Sequence, residues 1–337
     1  MKKFLLLALL ALLTWGSAQL PAAISALAFG DYYFQLKNNS TTIEKQNGFW
    51  FRRIYLTYDS DLSDKLKARV RLEVQSPGNF PTATALLNPY LKDAYISYQY
   101  LPLHKVTLGI QGSLSFDNID KWYGYRHVEK TMWDLYKVRS SREFGVTLSG
   151  AFDTSKKFNY SVQFGNNSGY KNEIDKYKEI GADFTFNLTP QLIIEVNGDR
   201  ATLTNTKNDT QYQAFAGYQG DWGRVGVNYG RDTIRETGKE DVNFGVLSTF
   251  AVAKFSKKLE ALARFDTTTD PQPYGQSDFL VIEKGFKTNL IILGLGWNIH
   301  PKLQIMPNIK LLSYKANSVG FKPAANQQFN ITFYYQF

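Results

Sequence analysis

The stretch LKARVRLEVQ (66–75) sets Leu66, Ala68, Val70, Leu72 and Val74 on one parity and Lys67, Arg69, Arg71, Glu73 and Gln75 on the other. Side chains of a strand alternate between faces, so this segment is a strand with one apolar and one charged face. The same period of two recurs in KDAYISYQY (92–100), KVTLGIQG (105–112), EFGVTLSG (143–150), KFNYSVQFG (157–165), EIGADFTFN (179–187) and RVGVNYG (224–230). Sixteen candidate strands emerge, centred near residues 32, 54, 71, 96, 109, 147, 161, 183, 195, 214, 227, 250, 262, 292, 308 and 332. Pro307 interrupts one of them, where a bulge or rim position is expected. The chain ends on QFNITFYYQF (328–337), with Phe329, Ile331, Phe333, Tyr335 and Phe337 on one face. Left unpaired in water, such an edge invites aggregation, so it needs a partner strand.

The connections alternate in length. Short ones are 59–64, 101–105, 152–156, 189–191, 219–222, 256–258 and 298–302; long ones are 37–47, 76–91, 115–141, 166–176, 201–209, 231–241, 267–285 and 315–326. Seven short and eight long connections suit sixteen antiparallel strands with both termini on the short-turn side.

The N-terminus supplies the setting. Lys2 and Lys3 precede an unbroken apolar run from Phe4 to Leu13, and Gly16-Ser17-Ala18 offers small residues for cleavage. This predicts a signal peptide over 1–18, with cleavage after Ala22 or Ala23 as alternatives, and one domain over 19–337. Ten apolar residues are too few to span a bilayer, and no other stretch approaches 18, so no transmembrane helix is expected. There is no cysteine, and aromatic residues make up 15% of the chain. An exported chain without disulfides needs another source of stability. A soluble sandwich or lipocalin-like fold also alternates, but it buries its apolar face against a second layer. The expected fold is therefore all-β: a single 16-stranded antiparallel transmembrane β-barrel with short periplasmic turns and long extracellular loops, in the outer membrane of a Gram-negative-type bacterium. The C-terminal strand should then pair antiparallel with residues 28–36.

Three stretches resemble the phosphate-selective porin family of the outer membrane: FWFRRIYLTYDSDLSDKLKARVRLE (49–73), KDAYISYQY with KVTLGIQG (92–112), and LEALARFD (259–266) with TNLIILGLGWNIHPKLQIMPNIK (288–310). The terminal Phe337 behind alternating aromatics resembles the signal read by the barrel-assembly machinery. The resemblance implies a 16-stranded homotrimer among outer-membrane lipid and lipopolysaccharide, passing small solutes or anions. The chain departs from that family in lacking a dense lysine ladder, which bears on phosphate selectivity.

A channel's selectivity lies in the charge and width of its lumen. Lys67, Arg69 and Arg71 share the inward parity and form a cationic column about 14 Å long at the usual strand rise. Arg53 shares parity with Tyr55 and Thr57 and also points inward. Arg52 has the outward parity, so it lies at a rim or marks a bulge. Arg224, Arg264 and Lys310 are further inward candidates, with Glu195, Glu260 and Asp266 as partners. A cationic wall concentrates anions; if the cations only pair with acidic neighbours, the lumen is neutral and merely wet.

The longest connection holds Trp122, Tyr125, Arg126, Lys130 and Arg139, with Arg142 at its end. It follows the fifth strand. Folded inward it forms a constriction of aromatics and cations; folded outward it packs on the rim, its aromatics serving as interface anchors.

Enzyme readings find little support. The chain has three histidines, His104, His127 and His300, spread over two short turns and one loop. His127 with Ser140 or Ser141 is the one conceivable hydrolase pairing. No clustered His or Cys suggests a metal site. DSDLSD (59–64) lacks the glycine and the final acidic residue of a calcium loop and reads as a solvated turn. GLGW (294–297) does not open a helix, so it is no nucleotide fingerprint. Cations alternate along strands rather than forming an exposed patch, which speaks against nucleic acid. No enzyme activity and no cofactor are expected. The expected function is passive diffusion of small hydrophilic solutes with an anion preference. The alternative is a non-conducting structural or adhesion barrel whose loops are the working surface.

Overall fold

The computed structural model describes residues 22–76, 86–275 and 279–337. The expected leader and residues 77–85 of one long connection lie outside the described residues.

Period-two alternation becomes sixteen strands in the described residues. These are β1 (Ala22–Lys37), β2 (Asn47–Asp61), β3 (Leu66–Gln75), β4 (Asn88–Leu101), β5 (His104–Gly112), β6 (Arg142–Ala151), β7 (Phe158–Gly165) and β8 (Glu179–Thr189). They continue as β9 (Leu192–Thr202), β10 (Lys207–Gly220), β11 (Gly223–Glu236), β12 (Val242–Lys254), β13 (Leu259–Thr268), β14 (Thr288–His300), β15 (Leu303–Tyr314) and β16 (Asn326–Gln336). Every strand centre read from the sequence falls inside one of them. Each strand pairs antiparallel with its chain neighbours, and β1 pairs with β16, so the sheet closes on itself.

The closing seam has Ala28 opposite Tyr335 and Gln35 opposite Gln328. It ends in two backbone bonds, Ala26 N–H to the Phe337 carbonyl at 2.8 Å and Phe337 N–H to the Ala26 carbonyl at 2.9 Å. Closure satisfies the backbone groups that an edge would expose, the condition for a sheet in a medium without water.

The outward face is apolar, with Leu56, Val70, Ile96, Leu108, Phe184 and Leu293 all exposed. At the short-turn end, Tyr100, Phe152, Tyr218, Trp222, Phe255 and Trp297 are exposed as a girdle, the placement aromatics take at a membrane interface. The inward face carries polar residues, such as Gln328, Asn330 and Thr332 on β16, all nearly inaccessible.

Three local expectations are corrected. Residues 201–209 and 231–241 are mostly strand, because β9 to β12 extend as tall hairpins and leave only 203–206 and 237–241 as connections. Pro307 causes no bulge and sits inside β15. Gly294 opposite Asn308 and Trp297 opposite Ile305 keep one register on both sides of it. Its missing N–H costs a ladder bond without shifting the strand. Asp59 and Asp61 belong to β2 rather than to a solvated turn.

Two bulges alter which side chains face inward. Phe29 pairs with Arg53 but Gly30 pairs with Phe51, so Arg52 is an extra residue in β2. Arg71 pairs with Asp93 but Leu72 pairs with Leu91, so Lys92 is extra in β4. A bulge reverses the parity beyond it. Arg52 with Arg53, and Lys92 with Asp93, therefore all turn inward and are buried.

Candidate functional site

The connection from β5 to β6 folds into the barrel. It contains two short helices, α1 (Asp117–Tyr123) and α2 (Met132–Leu135). Phe116, Ile119, Tyr123, Val128, Met132, Trp133, Leu135 and Tyr136 of this segment are buried in one cluster with Phe244, Phe250, Leu262, Leu290, Ile292 and Leu312 of the wall. Inward positions on β12 to β15 are unusually apolar for a lumen. Covering them with the loop removes that surface from water, at roughly 25 cal/mol per Å². Gly217, Gly226 and Gly230 keep the adjoining β10 and β11 wall low. A Cβ at Gly230 would lie 2.2 Å from Trp133 Cζ2, and one at Gly217 2.8 Å from Trp122 Cε3.

Polar clamps fix the loop. Arg224 donates to the carbonyls of Trp122 at 2.6 Å and Tyr123 at 3.0 Å, placing a cation where α1 ends and its carbonyls are unpaired. Arg52 donates to the carbonyls of His127 at 2.9 Å and Val128 at 2.5 Å. The Glu129 carboxylate receives Lys310 Nζ at 2.7 Å, Arg52 at 3.3 Å and the Lys130 N–H at 2.9 Å. Arg264 donates to the Lys130 carbonyl at 2.5 Å while paired with Asp266 at 2.6 Å. Trp133 Nε1 donates to Gln211 at 2.9 Å, and Ser113 Oγ to the Ser140 carbonyl at 2.7 Å.

Burial alone would raise the Glu129 pKa, but Lys310 and Arg52 outweigh it and hold the group at about 2. Burial pulls His127 down to about 4 against the opposing bond to Gln304. His127 Nε2 meets Gln304 Oε1 at 2.8 Å, so this ring nitrogen is engaged by an amide.

A second loop segment also turns in. Phe279, Leu280, Val281 and Ile282 are buried. Phe279 lies 5.1 Å from Trp50 and carries the Arg52 guanidinium at 5.0 Å. Sequence reasoning missed this insertion, although an apolar run FLVI inside a long polar connection was a visible signal.

What remains open runs from β16 and β1 along β2 to β10. Cavities of about 690 Å³ and 670 Å³ share Tyr95, Gly112, Asp117 and Lys121. A third, of about 630 Å³, adjoins the second at Ser113.

The predicted site residues divide between these regions. Lys67, Arg69 and Arg71 line the passage, each with an acidic neighbour. Lys67 meets Asp61 at 3.0 Å, Arg69 holds Asp59 through two bonds of 2.6 and 2.9 Å, and Arg71 lies 3.3 Å from Asp93 and bonds Thr57 at 2.8 Å. Arg142 also bonds Asp93. Arg126 bonds Asp120 at 2.6 Å and also Asp134, while Lys130 lies 3.2 Å from Asp134. Arg53 is buried against Glu73 at 3.2 Å, and Lys92, which sequence reasoning passed over, shares that carboxylate at 2.8 Å. Arg139 spans Asp199 at 2.8 Å and Asp209 at 2.9 Å.

Arg224, Arg264 and Lys310 do point inward, but the loop covers them and they grip it rather than the open passage. Of their expected partners, Asp266 holds Arg264, whereas Glu195 bonds Asn197 and Glu260 bonds Gln304. Trp122 and Tyr125 face the wall, packed near Phe215 and under Arg224 respectively.

The Gram-negative porin family profile matches residues 7–336. The anion-selective porin from Comamonas acidovorans superposes with a TM-score of 0.68 at 12% identity, over 94% of this chain and 99% of that one. OmpT of Vibrio cholerae, in its in-vitro folded trimer form, gives 0.62 at 10% identity over 94% and 99%. Salmonella typhi OmpF in complex with daunomycin gives 0.66 at 9% identity over 94% and 98%. Comparison with curated proteins finds no match.

Proposed function

The chain belongs to the Gram-negative porin family, and on that premise we propose that it is an outer-membrane channel for passive diffusion of small hydrophilic solutes with a modest anion preference. One observation carries this reading: the inserted loop seals the apolar half of the lumen and leaves polar cavities, one of about 690 Å³, on the other half. Lys67, Arg69, Arg71, Lys121, Arg126 and Arg142 all keep some exposure there. Asp59, Asp61, Asp93, Asp117 and Asp120 lie among them, so the cationic surplus is small. A surplus of this size supports a modest preference rather than a strict filter. We place residues 1–18 as the export signal and Phe337 as the assembly signal, and we read the protein as a trimer among lipid and lipopolysaccharide.

Reconstitution into a planar bilayer tests this directly. Ohmic conductance is expected, with a reversal potential in a KCl gradient displaced modestly toward chloride. Absence of conductance would favour the non-conducting barrel. Inhibition of the chloride current by phosphate would add the narrower phosphate specificity.

A further inference from the structure

Aromatic side chains line the inward face on β16, β1, β2 and β4 of the passage. Tyr334 on β16 lies opposite Phe29 on β1. Phe29 is 6.4 Å from the Tyr55 ring on β2, and Tyr95 follows on β4. Arg71 stands over the Tyr55 ring at 5.5 Å and Arg69 over the Tyr95 ring at 5.9 Å. All six line the same cavity of about 690 Å³, a size typical of small-ligand sites. A lumen that only had to stay wet would not need Tyr55, Tyr95 and Tyr334 partly exposed on this wall, because each shows apolar surface to water, while Phe29 beside them is buried.

The charges around this ribbon are arranged in pairs: Arg69 with Asp59, Arg71 with Asp93, Arg126 with Asp120. The cavity therefore has little net charge but many donors and acceptors. A free ion must break a pair to bind strongly. A hydroxyl both donates and accepts, so it can donate to the carboxylate and accept from the guanidinium while the pair stays whole. The C–H faces of a pyranose ring are apolar and match an aromatic face, and its rim is a ring of hydroxyls. We infer that this part of the passage is a binding site for neutral sugars, with Tyr55 and Tyr95 as stacking platforms and the neighbouring Arg–Asp pairs as hydroxyl partners. The inference rests on the reading of the passage as a solute channel and adds a solute class to it.

The test uses the whole protein in a planar bilayer in KCl. Maltotriose should reduce the conductance saturably from the side facing this cavity. Tyr95→Ala and Tyr55→Ala should each raise the half-blocking concentration about fivefold or more, the loss expected for one stacking contact. Tyr95→Phe should leave it near wild type. In parallel, saturation-transfer NMR on the detergent-solubilised protein should label the ring C–H protons of maltotriose, a readout that needs no conduction. Several outcomes overturn the inference while leaving the channel reading intact. One is a conducting channel with no block, or with a block that rises linearly as with polyethylene glycol of equal size. Another is binding by both alanine variants equal to that of wild type. Stronger block by the zwitterion glycylglycine would assign the ribbon to zwitterions. A channel without ohmic conductance sinks the underlying reading, and the NMR result then decides the site alone.

Discussion

At Glu129 one carboxylate receives Lys310, Arg52 and a backbone N–H. Its burial makes the arrangement one-sided: removing the charge leaves two buried cations short of a partner, a loss of about 3–5 kcal/mol for a broken buried pair. Glu129→Gln should therefore loosen the inserted loop, read as higher open-channel noise and a larger mean conductance. Acid should act in the same direction. Glu129 is held at about 2, below the ordinary carboxylate value, so its contribution is complete above pH about 4.5 and is lost as pH falls toward 2. His127 is held at about 4, below the ordinary imidazole value, so a released loop takes up its proton first as pH falls from about 6.5 toward 4. Loop noise should rise across both windows on acidification, and Glu129→Gln should remove the lower one. A variant whose noise matches wild type at every pH would show that the loop is held elsewhere.

Elements were legible in the sequence where period two was intact, and less so where a single residue broke it. All sixteen strands could be read because every outward face is apolar. The cross-strand partners were also within reach. A turn of four residues at 62–65 fixes the hairpin so that Asp61 meets Lys67 and Asp59 meets Arg69. Reading Asp59 as turn hid that neutralisation. Bulges are harder, because the extra residue looks like an outward charge: Arg52 showed the anomaly and Lys92 passed unnoticed. The inserted loop left a subtler trace, since its anchors Arg224, Arg264 and Lys310 have the same parity as true passage cations. What separates them is the apolar inward face of β12 to β15 and the low glycines on β10 and β11. Those glycines give a test at this scale. Gly230→Val would set its Cβ into the Trp133 ring, where 2.2 Å is available. Because Trp133 cannot retreat without leaving its cluster, the cost should be about 1–3 kcal/mol of overpacking. The measurable result is a lower thermal midpoint and a shifted Trp emission in the folded barrel. A variant identical to wild type in both would place Trp133 elsewhere.

For the whole molecule, the arrangement of charge matters more than its sum. The full chain carries 39 basic and 30 acidic residues, yet the passage cations come with carboxylates attached. Selectivity must then respond to substitutions in a way a bare cationic column would not. Changing Lys67, Arg69 and Arg71 together to glutamine removes three positive charges and also releases Asp59, Asp61 and Asp93. Arg142 still holds Asp93, but Asp59 and Asp61 lose the partners that neutralised them. The reversal potential in a KCl gradient should therefore move past zero, from a modest chloride preference to a potassium preference. A bare column would only lose its preference and settle near zero. Adding Asp59→Asn, Asp61→Asn and Asp93→Asn to the same background removes both halves of each pair. That sixfold variant should bring the reversal potential back toward the wild-type value, because the paired charges contribute little net field at the passage wall. If the triple variant instead stops near zero, as a bare column would, the carboxylates were not neutralising these cations, and the pairs do not set the field of the passage.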